Sequence, residues 1–227
     1  MSPFPFLSNK FIIFFFFQTE LTETEIKDNA LAFVLGGYET TQIILSKIMY
    51  LLACHPEAQD KLCHEIDQIC LDKNIDDNIN GTGNDISWED LAEMKYLDAV
   101  FNESLRMMPP AARIERRVPE DTYLTGTKYG DIFLPKDSFV CISTHVHRDP
   151  DYWSEADKFM PERFLPQNKH QHHPYAHFPF ALGPRNCIGY RFALMEIKQC
   201  LFNVLKKYKF QVSQNTKVCI LINQSIN

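Results

Sequence analysis

The stretch Phe180-Ala181-Leu182-Gly183-Pro184-Arg185-Asn186-Cys187-Ile188-Gly189 decides how the rest of the chain is read. It is a glycine-punctuated loop that delivers one cysteine to the start of a helix. That helix is expected over residues 188–207, where Phe192, Met195, Leu201 and Leu205 recur at helical spacing. Gly183 and Gly189 permit tight turns and close backbone approach, and Arg185 sets a cation two residues before the sulfur. A helix start and a neighbouring guanidinium both favour an anionic sulfur, which is a metal ligand. The plainer alternative is a buried free cysteine in an ordinary turn.

Upstream, Thr22-x-x-Glu25 has the pattern of a capping box and opens a proline-free run to Cys54. Thirty-odd helical residues span about 50 Å, enough to cross a domain. Its middle reads Leu35-Gly36-Gly37-Tyr38-Glu39-Thr40-Thr41. Each glycine inside a helix costs about 1 kcal/mol relative to alanine, so the pair calls for a reason. Close packing against something flat is one, and a simple helix-packing notch is the alternative. Pro56 suits the first position of a second helix running to about Cys70, followed by a polar loop over 72–85. Helix restarts at Ser87 and continues over 94–108 until Pro109-Pro110. Within it Glu103 and Arg106 lie three apart on one face, which alone suggests a solvated ion pair. Short β-like runs are expected at 113–118, 122–124, 131–134 and 138–143, with terminal strands at 210–212 and 218–222.

The pattern Phe180, Gly183, Arg185, Cys187, Gly189 resembles the heme-binding signature of the cytochromes P450, with all five fixed positions present. Three further segments resemble the same family, in its order. The Gly37, Glu39, Thr40, Thr41 segment is similar to its long distal helix, and Glu103-x-x-Arg106 to its Glu-x-x-Arg pair. Pro161-Glu162-Arg163-Phe164 is similar to its Pro-Glu-Arg-Phe segment, and His147-Arg148-Asp149-Pro150 with Trp153 matches its His-Arg-Asp-Pro turn. The resemblance covers Thr19 to about Lys217. It implies a mainly α fold with small β-sheets, the C-terminal half of the cytochrome P450 fold. Met94-Lys95-Tyr96-Leu97-Asp98 points to the animal microsomal branch that includes the drug-oxidising enzymes and thromboxane synthase.

The resemblance assigns roles residue by residue. Cys187 is the proximal ligand of heme b (iron protoporphyrin IX), a thiolate that favours O–O cleavage. Arg185 and Arg116 pair with heme propionates, and Phe180, Gly183 and Gly189 shape the cysteine loop. Gly36 and Gly37 leave room for dioxygen, and Glu39 and Thr40 deliver protons to it. Leu35, Ala112, Arg113 and Ile114 edge the substrate pocket, with ordinary surface charge the alternative for the two arginines of that strand. Glu103, Arg106 and Arg163 form a buried structural triad. The implied activity inserts one oxygen atom from O2 into a small lipophilic substrate, with electrons from an NADPH-dependent cytochrome P450 reductase and cytochrome b5 as a further candidate donor. The alternatives are a reductase-independent peroxide isomerase of the thromboxane-synthase type, against which the intact Glu39-Thr40 pair argues, and a truncated product without function. The family's members are about twice as long and sit on the cytosolic face of the endoplasmic reticulum membrane. One half alone would leave wide apolar surface exposed.

Composition sets limits on the rest. The 227 residues suit one large domain or two small ones, and 45% hydrophobic residues suffice for a core. A net charge of −6 without a sustained basic run argues against nucleic acid as a partner. Seven cysteines, an odd number without a Cys-x-x-Cys pair, read as reduced thiols. Cys54, His55, Cys63 and His64 match none of the common zinc spacings, and the histidines from His170 to His177 read as surface residues. Residues 1–18 form a leader apart from the partial heme domain of 19–227. Its apolar run over 11–17 is far short of the roughly 20 residues that span a bilayer, and no small-residue cleavage site follows. Four phenylalanines followed by glutamine are what a pyrimidine-rich intron end translated through CAG encodes, so the leader reads as a gene-model artefact. Transcript reads uninterrupted through Gln18–Thr19 would sink that reading.

Overall fold

Thr22 and Glu25 close the start of helix α1 (Glu23–Cys54) reciprocally: the Thr22 N–H donates to Glu25 Oε2 at 2.8 Å, and the Glu25 N–H to Thr22 Oγ1 at 3.2 Å. The computed structural model describes residues 20–75, 86–214 and 216. The leader, the strand expected at 218–222 and most of the polar loop lie outside the described residues. The chain divides into two units, 1–39 and 40–227, with the boundary inside α1. In the first unit, residues 20–39 are all solvent-exposed, apolar Leu31, Phe33, Val34 and Leu35 among them.

The second unit is built on a helical core. In its part of α1, Thr41, Ile44, Ile48, Leu51 and Leu52 form the buried stripe that helical periodicity dictates. Helix α2 (Pro56–Lys73) begins on its proline and ends with Asn74 in the left-handed conformation, at φ 51°. Helices α3 (Trp88–Glu93) and α4 (Lys95–Met107) are separate, broken at Met94, whose extended backbone serves both as the end of one and the start of the other. Ile48, Leu62, Ile66, Leu91, Leu97, Phe101, Ile197 and Leu201 meet in one fully buried cluster. The last two come from α5 (Tyr190–Leu205). Each such side chain contributes roughly 1.5–3 kcal/mol through its removal from water.

Strand β1 (Arg113–Arg117) pairs antiparallel with β4 (Phe139–Ser143), in the register Arg113 to Ser143 and Arg117 to Phe139. Between them β2 (Thr122–Thr127) and β3 (Gly130–Leu134) make a hairpin. Four 3-10 turns then follow, at Thr144–Arg148, Pro161–Phe164, Pro166–Gln171 and Pro174–Ala176. The described part is thus mainly α with small sheets. Among the described residues no helix is long and apolar enough to cross a membrane.

Several expectations need correction. α2 continues to Lys73 rather than stopping near Cys70, and α5 covers Tyr190–Leu205 rather than 188–207. Residues 210–212 form no strand. The reason is local: the side-chain amide of Gln59 takes both backbone groups of Phe210, accepting its N–H at 2.7 Å and donating to its carbonyl at 3.0 Å. A buried glutamine thereby satisfies the backbone that a neighbouring strand would have paired.

The start of α3 offers a direct check on capping. Ser87 Oγ accepts the Asp90 N–H at 3.1 Å, and Asp90 Oδ2 accepts the Ser87 N–H at 3.3 Å. Ser87→Ala is expected to cost about 1 kcal/mol and lower the melting temperature by roughly 2–4 °C. An unchanged melting curve would show that the box contributes nothing.

Candidate functional site

The cysteine loop is fastened by its own backbone. The Cys187 N–H donates to the Phe180 carbonyl at 2.9 Å, the Ala181 N–H to Phe178 at 2.9 Å and the Asn186 N–H to Gly183 at 3.1 Å. Gly183 has φ 81°, a conformation that favours glycine, whereas Gly189 has φ −85° and needs no such freedom. Gly189 instead faces the sulfur: a Cβ there would stand 3.9 Å from Cys187 Sγ. The Phe180 ring packs edge-on against Tyr190 at 4.8 Å and stacks on Phe101 of α4 at 6.1 Å, so the loop is pinned to the core.

Cys187 is a free, exposed thiol at the N-terminal approach to α5. Its loop and helix expose large apolar groups, with Ile188 84% and Phe192 63% accessible and Leu182 also exposed. Arg185 is exposed on the same loop. Arg116 on β1 reaches it, donating from Nη2 to the Arg185 carbonyl at 3.5 Å and from Nη1 to the Glu115 carbonyl at 2.9 Å. The structure therefore brings Phe180, Gly183, Arg185, Cys187, Gly189 and Arg116 together.

Helix α4, which meets the loop through Phe101, also carries a buried ionic cluster. Arg106 donates from Nε to Glu103 Oε2 at 2.7 Å and from Nη2 to Glu103 Oε1 at 2.9 Å, both side chains being fully buried. Arg163 Nε stands 3.4 Å from Glu103 Oε1, which also accepts the Met160 N–H at 2.7 Å. Arg106 also donates to backbone: the carbonyls of His147, Ala156 and Lys158 accept at 3.0, 2.8 and 3.0 Å. A fork of five donors in a fixed plane is what allows one side chain to join a helix and two loop segments.

Other anticipated residues are placed apart from this group. Arg113 is exposed and paired with Glu115 at 2.8 Å, Ile114 is half-buried, and Ala112 gives its carbonyl to the Thr144 N–H and hydroxyl. Ala112 lines an open cleft of about 830 Å³ with Met108, Pro109 and Thr144, a cleft that does not include Cys187. Leu35, Gly36, Gly37 and Glu39 belong to the first unit, all exposed, and among the described residues nothing beyond the helix's own nearby backbone stands within 4 Å of a Cβ built at either glycine. Thr40 is exposed at the start of the second unit.

Two side chains carry structural weight at the site that sequence reasoning did not assign to them. His147 is fully buried, and its Nε2 accepts the Phe178 N–H at 3.0 Å. His177, expected at the surface, is drawn into an aromatic cluster instead, with Phe164 at 4.8 Å and His147 at 5.4 Å. No local spacing marks it, since apolar neighbours Ala176 and Phe178 on either side would turn the residue between them outward.

The chain belongs to the cytochrome P450 family, whose model matches residues 8–226. It is 41% identical over 199 residues to Cytochrome P450 3A6 of Oryctolagus cuniculus, covering 87% of this chain and 37% of that protein. Cytochrome P450 3A9 of Rattus norvegicus is 40% identical over 205 residues, covering 90% and 38% respectively. Cytochrome P450 3A7 of Homo sapiens is 39% identical over 199 residues, covering 87% and 37%. The chain thus spans less than two fifths of the length of these relatives.

Membership implies heme, and the residues present fit it. An exposed soft sulfur stands on a rigid loop, apolar side chains flank it as a flat macrocycle requires, and Arg116 and Arg185 supply cations for its carboxylates.

Proposed function

We propose that this chain carries the heme-ligating part of a heme-thiolate monooxygenase that inserts one oxygen atom of O2 into a small lipophilic substrate. The observation that carries the reading is Cys187 itself, exposed on a loop whose backbone is locked to Phe180 and whose flank is apolar. Heme bound there supplies the oxygen chemistry. In this reading the sulfur of Cys187 holds the iron, and Arg116 and Arg185 neutralise the propionates. Leu182, Ile188 and Phe192 exclude water from the ring face. Thr40 and Glu39 hold and pass protons, while Leu35, Ala112, Arg113 and Ile114 border the substrate.

Electrons come from NADPH through a flavoprotein reductase, with cytochrome b5 as a second donor, and the whole protein sits on the cytosolic face of the endoplasmic reticulum membrane. The test is turnover of the heme-loaded protein with and without NADPH and reductase. Product formation that requires both is expected, and Thr40→Ala is expected to lower product formed per NADPH consumed by about tenfold or more. Rearrangement of an organic endoperoxide without any reductant would overturn the monooxygenase reading.

A further inference from the structure

We propose that His147 is a positioning residue for the cysteine loop, a neutral imidazole that joins the buried Glu103, Arg106 and Arg163 cluster to the segment carrying Cys187. The inference rests on the reading of Cys187 as heme ligand. His147 lies in the 3-10 turn Thr144–Arg148 and is fully buried. On one side, its backbone carbonyl accepts from Arg106 Nη1 at 3.0 Å. On the other, its ring Nε2 accepts the Phe178 N–H at 3.0 Å. An acceptor at Nε2 fixes the tautomer, with the proton on Nδ1.

From Phe178 the connection runs directly into the loop. The Phe178 carbonyl accepts the Ala181 N–H at 2.9 Å, where the chain takes a positive φ of 61°, and the Phe180 carbonyl accepts the Cys187 N–H at 2.9 Å. The imidazole has little freedom to do anything else, since the Phe178 ring stands edge-on at 4.7 Å and His177 tilts against it at 5.4 Å. A doubly protonated ring has no lone pair and would turn an N–H against the Phe178 N–H, with the Arg106 cation and His177 close by. The site therefore holds the imidazole neutral, and neutrality is what lets it hold Phe178.

The test compares His147→Leu, which keeps bulk and removes the acceptor, with His147→Gln, whose side-chain oxygen can take its place. Two readouts are used: the reduced, carbon monoxide-bound spectrum of the heme-loaded chain, and hydrogen exchange at the Phe178 and Cys187 amides of the chain without heme. In His147→Leu, the strongly red-shifted Soret fraction is expected to fall and both amides to exchange faster by about tenfold or more. His147→Gln is expected to restore both toward the original chain. Leucine and glutamine variants that behave alike, whether both intact or both impaired, would overturn the proposal. If the unsubstituted chain gives no red-shifted band, the heme reading fails on its own, and amide exchange still decides the role of His147.

Discussion

Glu103→Ala is expected to cost about 3–5 kcal/mol of folding stability, the price of leaving a charge buried without its partner. The carboxylate takes two bonds from Arg106 and one from the Met160 N–H, and Arg163 stands within ion-pair distance. With it gone, a fully buried guanidinium loses its counter-charge and the Met160 N–H its acceptor. Arg106→Met is expected to cost at least as much, because the carbonyls of His147, Ala156 and Lys158 also lose their donor. The double variant should cost clearly less than the sum, since neither charge then remains unpaired. Denaturant unfolding of the three variants measures this. A loss below about 1 kcal/mol for Glu103→Ala would mean that the cluster does not hold the fold.

Acid should unfold the protein through two packed imidazoles, the buried His147 and the half-buried His177. Burial, with the Arg106 cation adding to it, pushes His147 down to about 4, and burial with neighbouring His147 pushes His177 down to about 3. Both titrate near 6.5 when unfolded. Between these values the unfolded chain binds more protons, so the stability these residues contribute is full above pH 6.5 and is lost as pH falls toward 4. The pair is expected to remove on the order of 3 kcal/mol between pH 7 and pH 5. Unfolding free energies across that range should slope downward with acid, and the slope should flatten in a His147→Gln, His177→Gln double variant. A flat profile in the original chain would contradict the packing of these rings in the neutral form.

The cysteine loop, the capping box at Thr22 and the strands β1 to β4, though not their pairing, were legible in the sequence because each is a local rule: glycine at a positive φ, a hydroxyl three residues from a carboxylate, short β-like runs between turns. Glu103 and Arg106 were legible as a pair by helical spacing, but burial changes what that spacing means. On a surface it is an ion pair of a few tenths of a kcal/mol, whereas here no water reaches either group. What the sequence could not show depends on distant partners. Phe210 gives up strand geometry because Gln59, far away along the chain, takes its backbone. His177 is drawn half-way into the fold by ring contacts with Phe164 and Trp153. His147 sat in a recognised turn, yet the role proposed for it follows from Phe178, which no spacing rule connects to it. Gly36, Gly37, Glu39 and Thr40 keep their proposed roles from sequence pattern.

The most direct test of the account is the reduced, carbon monoxide-bound absorption spectrum of this chain expressed with heme supplied, beside Cys187→Ala. The account predicts a strongly red-shifted Soret band from thiolate ligation in the original chain and its complete loss in the variant. A band that persists in Cys187→Ala would place the iron on another ligand and contradict the site built around Cys187.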